Sequence, residues 1–259
     1  MSDQLELLRE KLEQCDEIIL DALLMRNGIV EDIMAFKEEK NIPILQPEQE
    51  ARQEAWLQKK MEGRRHKKEV EDVFFQIRQN SKQIQARRLF NYNIVLIGFM
   101  GAGKSTISDY LRTAFAMEVV EMDQIISERQ GMSISDIFET YGEEYFRDLE
   151  TSLLIEMQSR TNVVISCGGG VPMRERNVVE MKKNGKVVLL TARPETILER
   201  VRDNHDRPLL EGNKNVEFIA GLMEKRRRKY EAAADVIIET DGKNELEICE
   251  ELVQRILND

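Results

Sequence analysis

The first forty residues carry apolar side chains at steps that alternate between three and four residues, with one charged member. The seam consists of Leu5, Leu8, Leu12, Cys15, Ile19, Ala22, Arg26, Ile29, Ile33 and Phe36. This heptad-like spacing predicts one long helix over about residues 3–40, and two shorter helices are predicted over about 48–62 and 67–88. The long helix would extend roughly 55 Å at ~1.5 Å per residue, more than a small domain can cover. The pattern therefore predicts a homodimer through the N-terminal helices.

From about residue 91 the pattern changes to short β-branched apolar runs that alternate with helical stretches. This alternation is typical of βαβ units on a parallel sheet. Only Gly28 and Gly63 precede residue 91, so 12 of the 14 glycines lie in the second part. We therefore predict a multi-domain chain. An all-α domain of three helices, of the intertwined-dimer type, spans residues 1–90, and an α/β domain with a parallel sheet spans residues 91–259.

Charge and composition narrow the class of protein. The 38 Lys and Arg residues against 48 Asp and Glu residues give a net charge of −10, which argues against a broad grip on nucleic acid or an anionic membrane. No apolar run reaches the roughly 18 residues of a membrane helix, and the first residues lack the apolar core of a signal peptide. Cys15, Cys167 and Cys249 are far apart, without a CxxC pair. We expect a cytoplasmic protein without a disulfide framework or a structural zinc site.

Arg26 interrupts the apolar seam of the first helix, where a buried unpaired guanidinium would be costly. Lys37 follows about three turns later on the same face, whereas Arg9 lies roughly 100° around the helix and could reach the pocket of a partner subunit. Ser81 and Gln85 share one face of the third helix. These residues favour either a cationic pocket suited to a dianion or a dimerising coiled coil with a few salt-bridged charges. The pattern alone leaves both interpretations open.

A phosphate-binding motif follows a buried strand pattern at residues 93–97. Residues 98–106 read GFMGAGKST, which is GxxxxGK[ST] between a strand and a helix. Glycines let backbone N–H groups surround phosphate oxygens, and the helix N-terminus adds its dipole. The motif predicts ATP and Mg²⁺ as cofactors, with Lys104 on the outer phosphates and the Ser105 hydroxyl on the metal ion. The residues predicted to hold the nucleotide include Gly101, Ala102, Gly103, Lys104, Ser105 and Thr106.

Three other features bear on the phosphoryl acceptor. The chain lacks the Asn-Lys-x-Asp signature of GTPases, and the strand at residues 163–166 ends in Cys-Gly-Gly-Gly instead of a Walker B aspartate. The polar stretch around Asp206-Arg207-Pro208 is typical of a lid that brings Arg207 onto the phosphates, although a surface salt bridge is the alternative. The basic run at residues 225–230 is an ordinary solvated helix face unless one arginine turns inward.

Five motifs together resemble shikimate kinase. They are GFMGAGKST, EMDQIISERQGMSISDIFETYGEEYFRDLE, SCGGG, DRPLL and KRRRKY, and they span about residues 93–257. The resemblance implies that Asp123 holds the shikimate hydroxyls and orients or deprotonates the attacked one. It implies that Arg147 and Arg226 bind the shikimate carboxylate, that Glu150 orients Arg147, and that Gly169 lets the backbone approach the ring closely.

On the nucleotide side, the same resemblance implies that Lys104, Mg²⁺ and Arg207 neutralise charge on the transferred phosphoryl group. Arg200 is expected to contact the adenine. Ser105 and Glu121 are the expected metal residues. Glu121 stands where the family has the first aspartate of an Asp-x-Asp motif, so the charge lies on a longer side chain.

The helical part resembles the all-helical class of chorismate mutases over about residues 4–88. The resemblance lies in LLREKLEQCDEIILDALLMR, FKEEKNIPIL and NSKQIQ. It implies that Arg26 and a partner subunit's copy of Arg9 clamp the two carboxylates of chorismate, and that Lys37 and Gln85 face the ether oxygen. Ser81 and Glu50 complete the expected substrate-binding set, with Glu50 on a substrate hydroxyl.

The chain departs from the mutase family at Gln46 and Gln49, where the family has an aspartate and an arginine. These changes weaken the expected polar lining of the pocket. We predict a bifunctional enzyme that phosphorylates shikimate and rearranges chorismate to prephenate. The alternatives are a kinase whose helical domain serves only dimerisation or ligand sensing, and a P-loop kinase for another small polyol acid.

Overall fold

The chain divides into two compact units, Met1–Gln85 and Ala86–Asp259. The computed structural model describes residues 2–40, 42–202 and 215–258. The division lies five residues before the end of the predicted helical domain. Phe90, the last residue of the predicted domain, belongs to the second unit, and its buried ring packs edge-on against the ring of Phe115 with 5.6 Å between centroids.

The described residues of the first unit form helices, as the periodicity predicts. They are α1 (Ser2–Lys40), α2 (Pro47–Met61) and α3 (Lys67–Leu89), and the last turn of α3 already belongs to the second unit. α2 begins at a proline, whose fixed φ suits the first turn of a helix. Met34 of α1 and Leu57 of α2 are fully buried. The predicted single long helix is confirmed, without a break over its 39 residues.

The apolar seam of α1 is uncovered in the single chain. Its large side chains are each about half exposed, between 48% and 62%. They are Leu5, Leu8, Leu12, Ile19, Ile29, Ile33 and Phe36. Side chains of this size usually lie against other apolar groups when they recur along one face of a helix. The seam is therefore a surface that a packing partner would stabilise.

The second unit contains a five-stranded parallel sheet within the described residues, and the predicted α/β class is confirmed. The strands are β1 (Asn93–Gly98), β2 (Glu118–Glu121), β3 (Val163–Ser166), β4 (Gly185–Thr191) and β5 (Val236–Glu239). Their spatial order is β2-β3-β1-β4-β5. Strands β1 and β3 are buried along their whole length, which matches their continuous apolar runs.

Helices connect and cover the strands of the second unit. They are α4 (Lys104–Phe115), α5 (Met122–Gln130), α6 (Ile134–Met157), α7 (Glu175–Lys183), α8 (Pro194–Val201), α9 (Val216–Ala233) and α10 (Glu245–Asn258). α6 begins at a capping box formed by Ser133 and Asp136, and it is kinked at Gly142. Within the described ranges, no helix combines the length and apolar character needed to cross a membrane.

The strand order places a crevice at the carboxyl end of β1. The chain leaves β1 toward β2 and β3 on one side and later returns to β4 and β5 on the other. In open parallel sheets, ligands bind at such a switch in strand order, outside the carboxyl ends of the strands. The segments that follow β1, β2 and β3 are therefore the natural location of a site.

Candidate functional sites

The turn between β1 and α4 requires glycine at three positions. Gly98, Gly101 and Gly103 have φ values of 149°, 78° and 100°, in the region that other residues rarely adopt. A Cβ atom on Gly98 would also collide with the backbone carbonyl of Leu190. Gly103 is the N-cap of α4 and brings no side chain to its N–H groups. The first turn of α4 is thus open to an anion, as the motif predicts.

Lys104 and Ser105 begin α4 at this turn. The Lys104 ammonium donates hydrogen bonds to the carbonyl oxygens of Gly98 at 2.9 Å and Phe99 at 3.2 Å. The Ser105 hydroxyl lies 3.4 Å from a carboxylate oxygen of Glu121, whose other oxygen accepts a 2.6 Å hydrogen bond from Ser108. The structure thus brings the two predicted metal residues, Ser105 and Glu121, together.

The oxygen atoms of Ser105 and Glu121 suit a hard cation that takes its remaining ligands from a nucleotide and from water. Among the described residues there is no group of three His, Cys, Asp or Glu side chains able to hold a metal ion by themselves. One hydroxyl and one carboxylate are the protein donors that Mg²⁺ uses when phosphate oxygens and water supply the rest. Ser105 and Glu121 therefore fit Mg²⁺ bound together with a nucleotide.

Three glycines after β3 form the floor of a second pocket. A Cβ atom on Gly168 would collide with the Asp123 carboxylate, and one on Gly170 with the Arg147 guanidinium. The carbonyl oxygen of Gly169 accepts a 3.2 Å hydrogen bond from Arg226. Side chains from α5, α6 and α9 thus converge on the end of β3, and the structure brings together the residues predicted to hold shikimate.

Glu150 is fully buried next to Arg147. Both of its carboxylate oxygens accept hydrogen bonds from Nη1 of Arg147 at 2.9 Å. Burial raises the pKa of Glu150 to about 7, although the positive charge of Arg147 acts in the opposite direction. Burial disfavours the charged form of Arg147 and so acts to lower its pKa. The carboxylates of Glu150 and Glu143 outweigh this effect and raise the pKa of the guanidinium. Arg147 is therefore held in place and stays charged.

Aromatic rings and one phenol complete the pocket, and the sequence did not single them out. The Arg226 guanidinium lies 5.9 Å from the centre of the Phe99 ring, and the Arg147 guanidinium lies 5.5 Å from that of Phe146. The Tyr230 hydroxyl donates a 2.7 Å hydrogen bond to the Gly169 carbonyl. Its position four residues after Arg226, on the same helix face, was the available signal.

The remaining nucleotide residues lie around the phosphate loop. Arg200 donates hydrogen bonds to the Gly101 carbonyl at 3.2 Å and to the Thr240 hydroxyl at 3.0 Å. Ala102 is buried, and Thr106 is exposed on the first turn of α4. Arg207 and the rest of the predicted lid lie outside the described residues.

A second polar cluster lies within the helical unit. Arg26 of α1 is half-buried and donates a hydrogen bond to the Ser81 hydroxyl of α3. Lys37 donates to the carbonyl of Ile44 at 2.8 Å. Burial lowers the pKa of Lys37, and the nearby carboxylate of Glu50 acts against this shift. Residues of α1, α2 and α3 that were predicted for the mutase site thus lie in one polar cluster.

Two cations of this cluster were not singled out by the sequence. Lys82 lies 2.7 Å from Glu50, and Arg78 pairs with Glu54. Burial lowers the pKa of Arg26, and the positive charge of Arg78 lowers it further. Arg78 precedes Ser81 by three residues and Lys82 by four, so the spacing of the two cations on one helix face was the signal that could have revealed them.

Arg9 and Gln85, two further residues predicted for the mutase site, lie on α1 and α3. Arg9 is 64% exposed and pairs with Glu6 at 3.5 Å on the same helix. Gln85 is half-buried on α3, one turn after Ser81. The exposure of Arg9 agrees with the prediction that it serves a second copy of the chain, which stays a prediction.

Comparisons with known proteins confirm both resemblances. The family model for shikimate kinase matches residues 100–257, and that for chorismate mutase type II matches residues 8–86. The chain is 42% identical to a shikimate kinase of Persephonella marina over 164 residues, which are 63% of this chain and 98% of the relative. It is 40% identical to one from Caldanaerobacter subterraneus over 162 residues, 62% of this chain and 94% of that one.

A similar structure has been solved. The shikimate kinase from Acinetobacter baumannii, in complex with shikimate, superposes with a TM-score of 0.60 at 34% identity. The match covers 64% of this chain and 93% of that chain.

Proposed function

The chain belongs to the shikimate kinase family and carries a chorismate mutase type II domain, and from this premise we propose that it catalyses both reactions. The kinase transfers a phosphoryl group from ATP to a hydroxyl of shikimate. The mutase rearranges chorismate to prephenate. The observation that carries the kinase proposal is the convergence of Asp123, Arg147 and Arg226 on the glycines after β3, beside the phosphate loop.

The acceptor side of the kinase site fits a small polyol acid. Arg147 and Arg226 offer two guanidinium groups to one carboxylate, which is the charge-assisted contact that fixes a ligand in one orientation. Asp123 then faces the hydroxyl groups on the opposite part of the ring. It orients the attacking hydroxyl and accepts its proton as the bond to phosphorus forms. Glu150 and the aromatic rings keep the arginines in place.

On the nucleotide side of the kinase site, the chain supplies hydrogen-bond donors to the phosphate oxygens of ATP. The N–H groups of the loop and the first turn of α4 hold the phosphates, and Lys104 exchanges its loop carbonyls for the outer phosphate oxygens. Ser105 and Glu121 would hold Mg²⁺, which when bound neutralises charge on the phosphates. Catalysis is then positioning plus electrostatic stabilisation, and no covalent enzyme intermediate is needed.

The mutase reaction requires less chemistry from the chain. The rearrangement is pericyclic, so the site has to hold a compact conformer and stabilise charge on the ether oxygen. Arg26, fixed by Ser81, binds a carboxylate, and Lys37 with Gln85 faces the ether oxygen. Glu50 accepts a hydrogen bond from a substrate hydroxyl.

We also propose that the protein is a cytoplasmic homodimer. The uncovered seam of α1 supports two long helices packed together, with Arg9 of each chain reaching the pocket of the other. Sedimentation velocity of the full-length protein at micromolar concentration would give a mass near twice that of the chain. A single species of monomer mass would contradict this proposal.

The two activities are tested separately on the full-length protein. Shikimate-dependent release of ADP should fall at least about a hundredfold in Arg147→Ala, and loss of chorismate should fall similarly in Arg26→Ala. An unchanged rate with shikimate in Arg147→Ala would favour a kinase for another polyol acid. Chorismate binding without turnover in the wild type would make the helical domain a sensor, and no binding would leave a dimerisation element.

A further inference from the structure

We propose that Arg78 and Lys82, one turn apart on α3, belong to the chorismate-binding site and supply positive charge that α2 of this chain does not provide. The proposal rests on the proposed mutase function. It goes further, because it assigns substrate contact to two residues that the family resemblance does not include.

Geometry places both cations on the substrate side of α3. Ser81 lies between them and accepts the hydrogen bond from Arg26. Lys82 is only 15% exposed, and its ammonium lies 2.7 Å from the carboxylate of Glu50. Glu50 is the expected partner of a substrate hydroxyl. A substrate held there would therefore come within reach of Lys82.

The charges of the cluster support the same role. The cations are Arg26, Lys37, Arg78 and Lys82, and the acids paired with them are Glu50 and Glu54. Two net positive charges result, which match a substrate with two carboxylates. Without Arg78 and Lys82 the charges that one chain brings to the cluster would sum to zero, and only the partner's Arg9 would add attraction for a dianion.

The glutamine in place of the family's arginine on α2 gives a reason for the cations on α3. Gln49 stands where the mutase family has an arginine, so the residue directly before Glu50 on α2 carries no positive charge. Lys82 approaches the same carboxylate from α3 instead. Burial lowers the pKa of Arg26, and the positive charge of Arg78 lowers it further, so these two guanidinium groups repel each other. A bound dianion relieves this repulsion.

A purely structural salt bridge between α2 and α3 predicts different behaviour. It would change the stability of the fold and leave the affinity for chorismate unaltered. We therefore compare Lys82→Gln, Lys82→Arg and the control Lys68→Gln in the full-length protein. Lys68 lies exposed on the same helix, so its variant removes one positive charge away from the cluster.

The expected result is a rise in KM for chorismate of about 10- to 100-fold in Lys82→Gln, the loss expected for one charge-assisted contact. Lys82→Arg keeps the charge and should stay within about threefold of the wild type. Lys68→Gln should match the wild type. Arg78→Gln should also raise KM, and it replaces Lys82→Gln as the test if that variant does not fold.

The outcomes separate this proposal from the mutase proposal. An unchanged KM in folded Lys82→Gln, or an equal defect in Lys82→Arg, would overturn the inference while the mutase activity stands. If the wild type binds chorismate in a calorimeter without turning it over, a weaker Kd in Lys82→Gln would still support the inference. Absence of both turnover and binding in the wild type would overturn both.

Discussion

Gly170 stands where any side chain would enter the guanidinium of Arg147. Its backbone is in an ordinary helical region, so the substitution Gly170→Ala acts through this contact and not through backbone strain. We expect the methyl group to displace Arg147 and to raise KM for shikimate at least about tenfold, as for a weakened charged contact. Steady-state kinetics with varied shikimate measure this effect.

The matched control is Gly221→Ala in α9, where an added Cβ meets nothing within 4 Å. It should leave KM unchanged and stabilise the helix slightly. The same KM for shikimate in the two alanine variants would contradict the predicted contact between position 170 and Arg147.

The buried carboxyl of Glu150 makes stability depend on pH. Its pKa is raised to about 7 from an ordinary 4.5, so between these values the folded chain holds a proton that the unfolded chain has lost. The stability contributed by this group is therefore largest below pH 4.5 and decreases as the pH rises to about 7. In Glu150→Gln this decrease should be absent from urea unfolding curves measured across that range.

Glu139→Gln serves as the control, because Glu139 is exposed on the same helix, α6. It should show the wild-type pH dependence. A Glu150→Gln protein that kept the full decrease would assign the dependence to other groups.

Among the elements, α6 depends on a single residue for its bend. Gly142 has φ 84° and ψ 167° within the helix, a conformation open almost only to glycine. The segment before the kink starts at the capping box, and the segment after it carries Arg147 and Glu150. We expect Gly142→Ala to lower the free energy of unfolding by about 1–3 kcal/mol.

Denaturant titration measures this change, and Gly221→Ala provides the unstrained comparison. Kinetics of the folded variant should show a raised KM for shikimate, because the bend orients the half of α6 that carries Arg147. A stability equal to that of the wild type would mean that the helix straightens without cost.

The elements that the sequence predicted are those set by local residue types. The long helix α1, the phosphate loop and the buried strands each follow from spacing over a few residues. The kink at Gly142 could not be predicted, because an isolated glycine in a helical pattern is compatible with a straight helix. Tyr230 and Lys82 were missed for a related reason, since their environment comes from other helices distant in the sequence.

At the scale of the whole molecule, each compact unit contains its own polar cluster. We therefore expect the two activities to be lost independently. Lys104→Ala should reduce shikimate phosphorylation at least about a hundredfold and leave chorismate turnover intact, and Arg26→Ala should do the reverse. Both assays on each variant measure this. A loss of both activities in either folded variant would contradict independent sites.

The different exposure of the three cysteines allows dimerisation to be measured by thiol labelling of the unmodified protein. Cys15 is an exposed member of the α1 seam, whereas Cys167 and Cys249 are buried, and burial raises the pKa of both. A maleimide reacts with exposed thiolates, so its early reaction reports on Cys15 alone. If two chains pack along the seam, labelling should slow as the protein concentration rises and recover on dilution. A labelling rate that is the same at every concentration would show that the seam stays open to solvent.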